Sequence, residues 1–189
     1  MNYINFEKHL QKLYLDVYDE PQSSQHTNSA RETLEEFCNN LDIRRAVELG
    51  CGTAPSLNWL KEHGKETLGV TMGHETSLHE VLREDMHFTS INDQSYDLVI
   101  ARHVLEHSPM PLILLMEMRR ISRKYALVTV PFPDEWAIKH RNHYSVFDDI
   151  NWRWLFELSG WKVTNFKNAN YYNEPDHPFY EYRYLLEAI

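Results

Sequence analysis

Apolar side chains recur at Phe6, Leu10, Leu13, Tyr14 and Val17, in steps of four, three, one and three. That is the stripe of an amphipathic helix over residues 3–18. The polar run Pro21-Gln22-Ser23-Ser24-Gln25 breaks it. Ser29-Ala30-Arg31-Glu32 has the spacing of a capping box, and Leu34, Phe37, Cys38 and Leu41 form a second stripe behind it. The period then shortens. Residues 44–49 are a brief strand-like run ending in Gly50-Cys51-Gly52. Pro55 suits the first turn of a helix and Gly64 its stop, so the pattern predicts a helix over about 54–63. Residues 66–71 read as a second strand and about 75–82 as a short helix. Residues 97–101 and 125–130 are nearly continuous apolar runs, as strands covered on both faces require. Between them Ser108-Pro109 opens a helix through about Ile121. After Pro131 and Pro133, Ser145-Val146-Phe147-Asp148 reads as another capping box, before a helix reaching Gly160. Residues 161–166 and 180–186 read as two late strands, with a long loop between them.

Strand–helix alternation predicts an α/β fold built on a parallel sheet. No composition shift marks a boundary. The 189 residues are therefore expected to form one domain over 1–189, with N-terminal helices (1–41) packing on or capping it. The 42% hydrophobic and 25% charged composition is that of a globular chain and excludes disorder as the main state. The net charge of −9 argues against a nucleic-acid partner, which needs clustered Lys and Arg. Cys38 and Cys51 lack C-x-x-C spacing, which disfavours a zinc site or a disulfide framework, and free thiols suit a reducing compartment. The N-terminus lacks the pattern of a signal peptide, and the longest apolar stretch, 110–116, is far below the ~20 residues of a membrane span. A cytoplasmic protein without a membrane partner is expected.

The informative chemistry lies in Val47-Glu48-Leu49-Gly50-Cys51-Gly52-Thr53-Ala54-Pro55. Two of only six glycines stand one residue apart at the end of the first strand. Glycine there lets backbone approach a ligand, and the helix that follows offers free N–H groups. A dinucleotide fingerprint would need glycine where Pro55 stands, so NAD and FAD are disfavoured. The Gly-Lys-Ser/Thr ending of a P-loop is absent. An acid-x-Gly-x-Gly-x-small pattern remains.

This segment resembles motif I of the class I S-adenosylmethionine-dependent methyltransferases. Ser95-Tyr96-Asp97-Leu98-Val99-Ile100-Ala101-Arg102-His103-Val104-Leu105-Glu106-His107 is similar to the fourth-strand motif of that family's small-molecule branch. Residues 117–121 are similar to its Glu-x-x-Arg-x helix, and Asn142-His143-Tyr144-Ser145, then Gly160 and Trp161, to its C-terminal part. The likeness covers about residues 44–166 in register.

The resemblance implies a Rossmann-like, seven-stranded, mostly parallel sheet with a reversed last strand. Helices would cover both faces, joined here by two extra N-terminal helices. It also implies S-adenosylmethionine as cofactor and in-line methyl transfer to an O or N acceptor on a small molecule. Carried over by position, Gly50, Cys51 and Gly52 would pack on the cofactor's methionine part and ribose, and Glu48 would face its amino end. Asp85 and Met86 match the adenine loop, and His103 and Val104 the fourth-strand exit. Thr71, followed by Met72, stands where the family has a ribose-binding acid, with Glu75 as a substitute. His103 and His143 are the candidates for proton transfer, and His107, Trp136 and Tyr144 for the acceptor pocket. His103 and His107 stand four apart, but a metal needs further ligands and the nearest acids already match family positions, so no metal is expected. The rival readings are a methyltransferase acting on RNA or another macromolecule, and an inactive cofactor-binding partner protein.

Overall fold

The computed structural model describes residues 24–72, 80–171 and 179–189. The expected helix over 3–18 and the candidate Glu75 lie outside them. The described elements are α1 (Ser24–Cys38), β1 (Arg45–Leu49), α2 (Pro55–Glu62), β2 (Glu66–Val70), β3 (Val81–Leu82), β4 (Tyr96–Arg102), a 3-10 turn (Leu105–His107), α3 (Pro111–Ile121), β5 (Ser122–Pro131), α4 (Glu135–Lys139), α5 (Asp149–Leu158), β6 (Trp161–Asn170) and β7 (Tyr180–Ala188).

The strands form one seven-stranded sheet in the order β3-β2-β1-β4-β5-β7-β6. β1 pairs in parallel with β2 and β4, and β4 with β5. β7 runs antiparallel to both β5 and β6, so it is the reversed strand. The order jumps between β1 and β4, which leaves a crevice at the carboxyl ends of the strands, where open α/β sheets place ligands.

Side chains alternate between two cores, as strand pleating demands. Ala46, Leu98, Ile100, Leu127 and Leu185 face α1 and α2, against Leu34, Phe37, Leu57 and Leu60. Val47, Val99, Ala101, Val128 and Leu186 face the other way, against Leu114, Met118, Trp152 and Phe156 of α3 and α5. Both faces are covered, which explains why the centres of β4 and β5 read as nearly continuous apolar runs. Among the described residues no helix is long and apolar enough to cross a membrane.

Several local expectations are corrected. Ser29 is not a cap: α1 begins at Ser24, and Ser29 is a buried residue inside it. Its hydroxyl is held by charged side chains of the sheet, an environment no local pattern reveals. Ser145 is not the cap of α5 either. Asp148 takes that place and accepts from the Asn151 N–H, while the Ser145 hydroxyl donates to the Ser108 carbonyl. Replacing Asp148 by alanine should therefore lower stability by about 1 kcal/mol in urea unfolding, while Ser145→Ala leaves the helix start intact. Val81 and Leu82, expected in a helix, pair with Gly69 and Val70 as a two-residue strand. β6 runs on to Asn170, because residues 167–170 find partners on β7 where a loop was expected. α3 starts only at Pro111, after the 3-10 turn.

Candidate active site

The turn after β1 is built from left-handed backbone. Gly50, Gly52 and Ala54 have φ of 68°, 49° and 58°. The N–H groups of Gly50 and Cys51 both donate to the Val70 carbonyl, at 2.8 and 3.1 Å, which fastens the turn to β2. A β-carbon on Gly50 would lie 2.5 Å from Val104 Cγ2. The bare glycine thus lets the exit of β4 close against the turn. One on Gly69 would lie 2.6 Å from Cys51 Sγ, so that glycine makes room for the Cys51 side chain.

Ala54 cannot cap α2 with a side chain. Glu48 does so from β1: its Oε1 accepts from the Ser56 hydroxyl at 2.7 Å, and the carboxylate also takes the Leu57 N–H. Glu48 is 3% exposed, and its Oε2 is buried without a hydrogen-bond partner among the described residues. Burial raises its carboxyl to about 7, against the pull of Arg102, Ser56 and Leu57. Cys51 and Cys38 are free and buried, and burial pushes both thiols to about 12, so neither is a nucleophile near neutrality.

Across the crevice, Asp85 and Met86 are buried, and Thr71 donates its N–H to the Leu82 carbonyl. Asp85 Oδ1 receives both the backbone N–H and Nδ1 of His87, at 2.9 and 2.7 Å. Burial opposes ionisation of this carboxyl, but the His87 bonds outweigh it and keep the pKa low. His87 Nε2 lies 2.6 Å from Ser108 Oγ, which also accepts from the Met110 N–H. An Asp–His–Ser chain of this kind has the connectivity of a hydrolytic triad. Ser108 is 0% exposed, so no substrate reaches it, and the chain instead tethers the Asp85 loop to the start of α3. Met72 is half-buried and packs against the core beside the turn.

At the exit of β4, His103 sits at φ 49° between two carboxylates. Its Nδ1 is 3.2 Å from Glu106 Oε1 and its Nε2 2.8 Å from Glu181 Oε2. Burial lowers the imidazole pKa, but bonds and charge from Glu106 and Glu181 outweigh this and raise it to about 9. The ring is therefore an imidazolium at neutral pH. Glu181 is fully buried. Burial pushes its carboxyl up, yet His103, Arg183 and Arg102 bring it down to about 2. Its Oε1 accepts from Ser29 Oγ at 2.9 Å and Arg183 Nε at 2.6 Å. Arg102 and Arg183 also reach the Ser29 hydroxyl, at 3.3 and 3.2 Å. On this face of the sheet the pleat carries Glu48, Arg102, Thr129, Arg183 and Glu181 as the inward positions nearest the crevice. The apolar core thus gives way to a buried charged layer under α1.

After β5 lies an open hollow of about 910 Å³, lined by residues 134–136 and 139–142, among them Trp136 and His140. His143 meets His107 with ring centres 4.9 Å apart, and Trp136 at 5.5 Å. The N–H groups of Tyr144 and Ser145 donate to the Glu106 carbonyl, at 2.7 and 3.0 Å, drawing this loop onto the 3-10 turn. The Tyr144 side chain is exposed. Burial lowers the His143 pKa, with His107 and His140 adding to the effect and Glu106 opposing it.

The carboxyl ends of β1, β2 and β4 thus carry Glu48, Gly50, Cys51, Gly52, Thr71, Met72, His103 and Val104, Asp85 and Met86 follow β3, and His143 meets both His107 and Trp136. Sequence reasoning missed Ser29, Glu181 and Arg183. The available signal was a pair of charges at period two, Glu181 and Arg183, in a strand otherwise rich in aromatic and apolar residues.

A sheet of this order with one reversed strand, carrying an acid–glycine turn at the carboxyl end of a central strand, defines the class I S-adenosylmethionine-dependent methyltransferases. A family described as a methyltransferase domain matches residues 22–165, and the chain belongs to it. No curated protein matches. Solved structures share the fold. The Burkholderia thailandensis 1,6-didemethyltoxoflavin-N1-methyltransferase, solved with 1,6-didemethyltoxoflavin and S-adenosylhomocysteine, aligns with TM-score 0.80 at 10% identity, over 100% of this chain and 91% of that one. A methyltransferase from Archaeoglobus fulgidus gives 0.70 at 17% identity, over 99% and 100%. The magnesium protoporphyrin IX methyltransferase of Synechocystis PCC 6803, solved with S-adenosylhomocysteine, gives 0.70 at 11% identity, over 98% and 97%.

The residues present suit S-adenosylmethionine. The buried Glu48 oxygen without a partner matches the ligand's ammonium group, and Gly52, in the left-handed region at φ 49°, adds no side chain to the turn that follows Glu48.

Proposed function

We propose that this protein transfers a methyl group from S-adenosylmethionine to an O or N acceptor on a small molecule, by in-line displacement. The observation that carries this reading is the orphaned Glu48 oxygen on the strand that leads into the Gly50 turn, together with an open hollow after β5 whose lining includes Trp136 and His140. When bound, S-adenosylmethionine supplies a methyl group already activated by its sulfonium. The protein's share is then mainly alignment, which can contribute about 7–11 kcal/mol in favourable cases. Glu48 would hold the ammonium group, Gly50, Cys51 and Gly52 the methionine part and ribose, Thr71 and Met72 the ribose side, and Asp85 and Met86 the adenine. Val104 would fix the turn. His103, charged and clamped by two acids, would hold the exit of β4 and its field in place rather than take a proton. His143 and His107 would present ring nitrogens to the acceptor, with Trp136 and Tyr144 as apolar wall. The Burkholderia thailandensis relative is a 1,6-didemethyltoxoflavin-N1-methyltransferase, which supports a small-molecule acceptor, and the net charge of −9 disfavours a polyanion.

Titrating the purified protein with S-adenosylhomocysteine tests the reading. Saturable heat and a raised melting temperature are expected, and neither appearing would refute it. Incubation with an acceptor library should then yield a product one methylene heavier.

Glu48 makes binding depend on pH. Its folded pKa of about 7 lies above the ordinary carboxylate value, so its protonated form stabilises the ligand-free fold. That contribution is present below about pH 4.5 and is lost as pH rises through 7. An ammonium partner needs the ionised form. Cofactor affinity should therefore be about tenfold weaker at pH 6 than at pH 8, with proton release on binding at pH 6. Calorimetry in buffers of different ionisation heat measures this, and Glu48→Gln should flatten the profile.

A further inference from the structure

The loop after α4 brings His143 onto the 3-10 turn, 36 residues away in sequence from His107. One donor atom each from Glu106, His107 and His143 lies within 4.8 Å of the other two. Backbone anchors both rings. His107 Nδ1 stands 2.8 Å from the Asn142 carbonyl and His143 Nδ1 2.8 Å from the Ala137 carbonyl. A carbonyl only accepts, so each ring carries its proton on Nδ1 and keeps its lone pair on Nε2. Imidazoles held by backbone carbonyls through one nitrogen are the arrangement that metal-binding histidines adopt.

Glu106 supplies the second observation. It is 1% exposed, and Oε1 faces His103. Its Oε2 is buried with no hydrogen-bond partner among the described residues. A buried carboxylate oxygen with nothing to accept is a strong cue for a missing cation or donor. His140 adds a nitrogen of the same kind: its Nδ1 is also buried without a partner, and its ring centre is 4.4 Å from that of His143. The expectation of no metal rested on missing ligands. The fold supplies them from the far side of β5.

We propose that Glu106, His107 and His143 form a binding site for a divalent first-row transition cation, with His140 as a candidate fourth ligand. Two neutral imidazoles and one carboxylate, without thiolate, suit zinc, iron or manganese, and three protein ligands leave positions open as catalytic sites do. In its use, though not in its binding, the site rests on the methyl-transfer reading. The cation would select an oxygen acceptor and stabilise its anion. The hydroxyl proton leaves to solvent, an oxygen lone pair forms the bond to the methyl carbon, and the C–S pair returns to sulfur.

The test is a titration of dialysed wild-type protein with Zn2+ by calorimetry and with Co2+ by visible absorption. One equivalent should bind. His143→Ala and His107→Ala should each weaken Zn2+ at least tenfold, with circular dichroism confirming the fold of each variant. S-adenosylhomocysteine is titrated into the same wild-type sample. Binding of the nucleoside without Zn2+ or Co2+ uptake overturns the cation site, as does Zn2+ affinity unchanged in both variants. Zn2+ binding without the nucleoside supports the cation site and refutes the methyl-transfer reading instead. Should the alanine variants unfold, anomalous scattering from Zn2+-soaked wild-type crystals decides. A peak between Glu106, His107 and His143 supports the site, and a peak elsewhere or none overturns it.

Discussion

Gly50→Ala should sharply weaken S-adenosylmethionine binding and lower the melting temperature. Two independent effects act together. At φ 68° any side chain strains the backbone, by about 1–2 kcal/mol. The new β-carbon also falls 2.5 Å from Val104 Cγ2 and 3.1 Å from Cγ1, an overpacking that costs about 1–3 kcal/mol. Val104 is buried in the main core and cannot simply swing aside. The turn must shift, and with it the backbone proposed to contact the cofactor. Affinity should fall at least about a hundredfold, the equivalent of roughly 2.7 kcal/mol. Adding Val104→Ala removes both clashing methyls, so the double variant should recover part of the stability lost, while the φ penalty remains. Additive losses in the double variant would contradict this account.

Glu181→Ala should be the most destabilising single change in the buried charged layer. Glu181 is 0% exposed and holds His103, Arg183 and Ser29 at once. Without it Arg183, only 2% exposed, loses its close, buried carboxylate partner and keeps only the half-exposed Glu32 at 4.0 Å. Removing one member of a buried pair typically costs about 3–5 kcal/mol, which urea unfolding measures directly. The sign of the pH effect follows from the depressed pKa. Glu181 stays ionised in the fold down to about 2, whereas the ordinary carboxylate protonates near 4.5. Its contribution is thus full above about 4.5 and is lost as pH falls through 2. Wild type should lose this increment on acidification, and Glu181→Ala should have a flatter acid limb.

The strands were legible because burial on both faces leaves an unmistakable apolar run, as in Leu98-Val99-Ile100-Ala101 and Ala126-Leu127-Val128. Helix starts were less so. Ser29 and Ser145 carry the right residue types for caps, yet tertiary partners claim both hydroxyls. The short helix over Glu135–Lys139 escaped notice because five residues are too few to show a period. For the site, the glycine turn and Glu48 lie within a few residues and could be read together. Glu181, Arg183 and Ser29 stand at opposite ends of the chain, and only pairing of β5 with β7 under α1 unites them.

The chain's order of residues settled by itself the alternating α/β plan and the place of the acid–glycine turn, since both depend on periodicity and on glycine's freedom over short stretches. Tertiary structure alone decided that His103 holds its proton between two acids, and that His143 faces Glu106 and His107. Those properties arise from charge and lone pairs brought within bonding distance across a sheet, and no local pattern encodes such a distance.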